Sequence, residues 1–164
     1  MTLIVALGEC MCEAARIADE ITRLADNWHD LLLSVPAATA HEKPSPERWS
    51  ISEVVGHLVD SACNNHQRFV RALSVDTLEF PHYEQNHWVS VAHYRNCDWG
   101  SLVRLWCEYN RMLAGLIGKI PPDRFDVPCT ITPYDTCTLG FLISDYLQHL
   151  QHHLDILDSR ITSD

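Results

Sequence analysis

Apolar residues return at three- and four-residue steps through four long stretches of the chain, the period of helices that each bury one face. In the first, from about residue 9 to residue 35, the stripe is Ala14, Ile17, Ala18, Ile21, Leu24, Ala25, Trp28, Leu31 and Leu32, and Pro36 ends it. Residues 37–49 carry Pro44 and Pro46 and read as a stiffened loop. Ser50-Ile51-Ser52-Glu53 is a capping box, a hydroxyl with a carboxylate three residues on, and opens a second helix running to about residue 73. Its core stripe is Ile51, Val54, Val55, Leu58, Val59, Ala62, Phe69 and Leu73. Asp98 caps a third helix whose face is Leu102, Leu105, Trp106, Tyr109, Met112, Leu113, Leu116 and Ile117, before Pro121-Pro122 stops it. Thr138 caps a fourth, with Leu139, Ile143, Tyr146, Leu150, Leu154 and Leu157 in one line.

Between these stretches the pattern lapses twice. Residues 74–97 show no sustained period, and Tyr83, Trp88 and Tyr94 predict that this long connection packs down against the body. Residues 125–137 place Thr, Val, Ile and Tyr around Pro128 and Pro133, the composition of a short hairpin or extended loop. The expected architecture is an all-α four-helix bundle. It forms one domain over residues 1–164, with a long connection between the second and third helices that permits a departure from simple up-and-down order. No βαβ unit, glycine-rich phosphate loop or internal repeat is present.

Two histidines break the regularity of the fourth helix. His149 and His153 are four residues apart and therefore stack on one helical face, flanking the apolar stripe in line with Leu142. His152 falls roughly 80° further round, towards solvent. An i, i+4 pair of imidazoles can grip one metal ion, but a catalytic site of zinc type takes three protein ligands and leaves a position open. On the second helix a polar stripe, His57, Ser61, Asn64 and Arg68, runs beside the core stripe. Such a stripe is either a solvated face or a ligand with its pocket wall.

Composition narrows the functional classes. The 164 residues, 46% of them hydrophobic, suffice for a sizeable core. No apolar run approaches the roughly 20 residues of a membrane span. The apolar start lacks a basic region and runs into an acidic helix, so it does not read as a signal peptide. Acidic residues outnumber basic ones 22 to 12, for a formal charge of −10. That excess argues against nucleic acid and anionic membranes as partners, since both need a basic surface. Seven cysteines in no framework fit reduced thiols in the cytosol. Cys10 and Cys12 form a C-x-C pair with no second thiolate pair nearby.

Taken together, His57-Leu58-Val59-Asp60-Ser61 with Asn64, Arg68-Phe69 and Ala72-Leu73, then Asp76-Thr77, Pro81, Tyr83 and Trp88, and finally Thr138-Leu139, Tyr146 and His149-x-x-His152-His153, form a recognisable series. In that order and spacing, over residues 45–157, the chain resembles the DinB superfamily of small helical-bundle metalloproteins. Within it, the series is most similar to the YfiT-type members related to bacillithiol transferases. The resemblance implies the third ligand: one histidine from the second helix and an H-x-x-x-H pair from the fourth hold a divalent metal, zinc or nickel. Those positions are His57, His149 and His153. It also implies thiol-S-transfer or isomerisation with a low-molecular-weight thiol.

Three neutral imidazoles leave a bound metal at +2, able to acidify a water and to ionise a thiol outright. Residues 150–152 are Leu, Gln and His, so the general base of an H-E-x-x-H metalloprotease is missing. This favours a small-molecule thiol acting on an electrophilic substrate over peptide hydrolysis. Asp60 and Asp145, each about one turn from a ligand, are placed to fix a histidine tautomer. Ser61, Asn64, Arg68, Tyr83 and Trp88 are the expected pocket lining, with Arg68 the only cation on its stripe. Beyond metal-bound water or thiol, no catalytic group is assigned. The competing classes are a metal-dependent hydrolase and a non-catalytic stress protein that uses metal for stability or the bundle for homodimerisation.

Overall fold

A computed structural model describes residues 2–162, with side chains from Glu13 onward; the Cys10–Cys12 pair lies outside the described side chains. Four long helices dominate: α1 (Thr2–Ser34), α3 (Ile51–Ala72), α5 (Trp99–Ile117) and α6 (Leu139–Ile161). Two short ones, α2 (Ala37–His41) and α4 (Gln85–Ala92), lie in the first two connections. Helix α1 begins earlier than residue 9, because nothing in the apolar run before it breaks a helix.

The three sequence-read caps form as written. In the capping box of α3, the Glu53 amide donates to Ser50 Oγ at 3.2 Å and the Ser50 amide donates to Glu53 Oε2 at 2.8 Å. The Ser101 amide donates to Asp98 at the head of α5, and the Phe141 amide to Thr138 at the head of α6. The far ends are closed by long-range donors instead. Trp99 Nε1 donates to the carbonyls of Leu32 and Val35, satisfying the end of α1. The Arg124 guanidinium donates to the carbonyl of Ala72, the last residue of α3, and to that of Val75 beyond it.

Helix packing runs α1 to α5, α5 to α3, α3 to α6 and α6 back to α1. Helices α1 and α3, adjacent in the chain's sequence of long helices, thus face each other across the bundle, so the order is not simply up and down. Trp106, Phe69, Ile21, Leu113, Ile143 and Leu154 fill the centre. The buried face of α5 is rotated from the expected one. Leu105 and Met112 are 53% and 48% exposed, while Val103, Cys107, Asn110 and Ala114 are buried. Contact with both α1 and α3 centres the buried arc on the Trp106–Asn110–Leu113 line and leaves Leu105 and Met112 outside it.

The connections also hold strands that an all-α reading omits. β1 (Leu78–Pro81) pairs in parallel with β2 (Pro128–Thr132), which pairs with β3 (Cys137–Thr138) as the short hairpin anticipated at residues 125–137. The segment between α3 and α5 is therefore β1, α4 and a 3-10 turn at Tyr94–Asn96, held to the other connection by the parallel ladder. Parallel pairing between segments some 50 residues apart leaves no local signal.

Gly56 lets this segment close on α3. A Cβ there would stand 2.1 Å from Cδ2 and 2.2 Å from Cγ of Tyr94, well inside contact distance. In an open helix, Ala would be favoured over Gly by about 1 kcal/mol. Gly56→Ala is nevertheless expected to destabilise the fold by about 1–3 kcal/mol, because the ring must be displaced. Denaturant unfolding checks this; a neutral or stabilising effect would show that Tyr94 does not rest on α3.

Candidate metal centre

His57, on α3, and His149 and His153, on α6, meet where the two helices pack. One ligand nitrogen from each lies within 4.8 Å of the other two. Nε2 of His57 and Nε2 of His149 are 3.0 Å apart, close to the roughly 3.3 Å separating two nitrogens on a tetrahedral zinc. The rings pack edge to face, their centroids 4.8 Å apart for His57 and His153 and 4.6 Å for His149 and His153. His152 is exposed, as the helical phasing requires. Trp49, from the loop before α3, covers His57 with centroids 5.0 Å apart, and its carbonyl accepts from Arg160 at 2.8 Å.

The electrostatics keep these imidazoles neutral. Burial, with His149 and His153 as like-charged neighbours, pushes His57 down to about 3. Burial and its two histidine neighbours take His153 to about 4. His149 is also lowered by burial, against an opposing pull from Asp145. Nδ1 of His57 and Nδ1 of His153 are buried without a hydrogen-bond partner. Three converging neutral nitrogen donors are the set that a divalent ion of zinc or nickel type accepts.

Each remaining candidate has a definite place. Ser61, buried, sets its Oγ 3.4 Å from Nδ1 of His149, where it can fix that imidazole's tautomer. The two acids expected near the ligands do otherwise. Asp60 is buried and accepts the Tyr94 hydroxyl at 2.5 Å; burial raises its carboxyl while that hydrogen bond acts the other way. Asp145 is exposed and borders a cavity beside His149 without bonding to it. Asn64 turns back to the Asp60 carbonyl at 2.9 Å, and Trp88 packs on Tyr83 with centroids 5.1 Å apart; neither borders the cavity.

That cavity, about 450 Å³, opens from His149. Ser61, Asn65 and Arg68 form its buried polar side. Ile131, Leu142 and Tyr146 supply apolar wall, and Tyr134 and Phe141 stand at the exposed rim. Tyr83 also borders it, its phenol pushed up to about 12, chiefly by burial. The β2–β3 hairpin supplies part of this wall, which no helical pattern could foretell. Asn65 was hidden beside the polar stripe, one residue from Asn64.

Comparison with known proteins gives the chain a family. The DinB superfamily profile matches residues 20–157. The chain belongs to the DinB superfamily. This DinB chain is 25% identical over 144 residues, 79% of each protein, to YfiT of Bacillus subtilis, a protein provisionally named a metal-dependent hydrolase. It also superposes on the solved structure of YfiT with a TM-score of 0.70 at 17% identity, over 94% of this chain and 83% of that one. That structure is described as a four-helix bundle of unusual topology, and the likeness establishes the fold. Among the described residues of this DinB protein, no helix is long and apolar enough to cross a membrane.

The lowered histidines make metal-free protein acid-sensitive. Unfolded histidine titrates near 6.5, so the unfolded state binds more protons than the folded state below that pH. Stability held above pH 6.5 should be lost as pH falls towards the folded values of about 3 and 4. Thermal unfolding of chelator-treated protein from pH 7.5 to 5 should show this decline, and His57→Gln should flatten it. Parallel curves for parent and variant would contradict the burial of neutral His57.

Proposed function

We propose that this chain is a divalent-metal-dependent enzyme, with His57, His149 and His153 as the metal ligands. The 450 Å³ cavity seats a small substrate, within the ordinary range for small-molecule sites. The reaction is transfer of a low-molecular-weight thiol to an electrophile in the cytosol. The observation that carries this reading is the convergence of three neutral imidazoles, one of which, His149, borders an open cavity, with no carboxylate hydrogen-bonded to them among the described residues. A divalent cation held there supplies Lewis acidity that lowers the pKa of a water or thiol brought to it.

The chain's own groups do the rest. Burial keeps the histidines unprotonated and so free to ligate at neutral pH. Ser61 holds His149 in the tautomer that presents Nε2. Tyr83 remains protonated and serves as a hydrogen-bond donor to substrate, not as a base. The aromatic rim of Tyr134 and Phe141 excludes water once substrate is seated. In transfer, the thiol sulfur forms a bond to the electrophilic carbon, the leaving group departs with the electron pair of the broken bond, and the thiol proton passes to solvent. A thiol ionised in this way needs no positioned carboxylate base, and none among the described residues is bonded to the imidazoles.

Hydrolysis is the second reading, supported by the name of YfiT as a metal-dependent hydrolase. One experiment separates the two. Metal-loaded protein should conjugate small thiols to an electrophile at pH 6–7, where a free thiol of pKa about 8.5 is mostly protonated. Chelator and His57→Ala should each abolish the catalysed rate while leaving every cysteine in place. Conjugation by His57→Ala as fast as by the parent sinks thiol transfer, and ester or amide hydrolysis lost with the same variant would install the second reading.

A further inference from the structure

The cavity contains one guanidinium that the ligand set does not employ. Arg68 is only 9% exposed, its side chain on the polar side of the cavity beside Ser61 and Asn65. It makes no ion pair within 4.0 Å of any described carboxylate; its hydrogen bond is a long 3.3 Å contact from Nη1 to Asn65 Oδ1. Its Nε is buried with no partner, and its guanidinium carbon lies 5.6 Å from the centroid of the Phe80 ring. A buried guanidinium left short of acceptors is destabilising unless something completes it. Carboxylates match its planar fork.

The charges around the rim restrict what that partner is. Asp135 and Asp145 also border the cavity, and both are exposed, whereas Arg68 is buried. Positive charge therefore lies deep and negative charge lies at the mouth. An entering dianion would meet two carboxylates of its own sign, while a single negative charge carried on an apolar body crosses the rim at less electrostatic cost. Tyr134 and Phe141, 60% and 59% exposed at the same mouth, offer contact to that body.

We propose that Arg68 is an anion anchor that selects organic monocarboxylates, with an apolar or aromatic body, as the substrate class of this cavity. The inference rests on the reading of the cavity as the substrate site, and it extends that reading from a bare electrophile to one carrying a carboxylate. Arg68 acts by binding and orienting, and its relay through Asn65, which donates to Ser61 Oγ at 3.4 Å, joins the anchor to the residue that meets His149. A carboxylate seated on Arg68 thus draws on the same buried polar set that positions a ligand.

The test uses chelator-treated full-length protein, so that no carboxylate is captured by metal and failure of the metal reading leaves the result interpretable. Titration calorimetry with 3-phenylpropanoate, 3-phenylpropanamide and 3-phenylpropyl phosphate should place the carboxylate at least tenfold tighter than the amide and tighter than the phosphate. Arg68→Gln should abolish the carboxylate's advantage, and Arg68→Lys should restore part of it. Equal binding of carboxylate and amide to the parent, or no binding of either at millimolar concentration, overturns the proposal, and neither result depends on a variant that folds. Tighter binding of the phosphate overturns the selection for a single charge. Undiminished carboxylate preference in a folded Arg68→Gln variant excludes Arg68 as the anchor.

Discussion

Packing three imidazoles against one another inside a helical bundle is the constraint on which the rest of this structure turns. Each ring surrenders water on burial, and a proton taken up by His57 would be repelled by both His149 and His153. The neutral cluster leaves Nδ1 of His57 and of His153 without partners, an arrangement that stability alone does not favour. A hydrophobic trio of similar volume would pack there without that penalty. The surrounding fold supports the cluster from both sides: Trp49 covers His57, and the capping box fixes where α3 begins, two turns before that histidine.

The small sheet shapes the cavity beside His149. Together β1, β2 and the hairpin to β3 draw the two long connections together at one end of the bundle, and the hairpin contributes Ile131, Tyr134 and Cys137 to the cavity wall. Parallel pairing of β1 with β2 binds the segment after α3 to the segment after α5. That linkage holds Tyr83 against a cavity whose other walls belong to α3 and α6. Gly56 serves the same end by admitting the Tyr94 ring to the surface of α3, where its hydroxyl reaches buried Asp60.

Much of this was written locally in the sequence. Ser50 with Glu53, Asp98 and Thr138 each announce a helix start through a side chain that reaches its own amides. The i, i+4 spacing of His149 and His153 and the in-line position of His57 beside a core stripe describe faces, and the faces meet. The apolar phase of α5 was legible only in part, because a helix touching two neighbours buries a wider arc than its most hydrophobic residues mark; Leu105 and Met112 lie outside that arc. Spacing could place Asp60 one turn from His57 but could not show Tyr94 arriving from 34 residues away to take its carboxylate. Ser61 likewise meets His149 across 88 residues, a contact that emerges only from packing. The pattern recorded which residues share a helical face; which groups complete one another across the bundle depends on chain crossings that no local period encodes.

The decisive measurement is titration of metal-free protein with Co²⁺, followed by visible absorption, since cobalt in a zinc-type site of four or five ligands absorbs far more strongly than the hexaaqua ion. Saturation at one equivalent with intense visible bands is the predicted outcome, retained in His152→Ala and lost in His153→Ala. Weak, unsaturating absorption in the parent, or equal loss in the two variants, would contradict the assignment of His57, His149 and His153 as a metal centre.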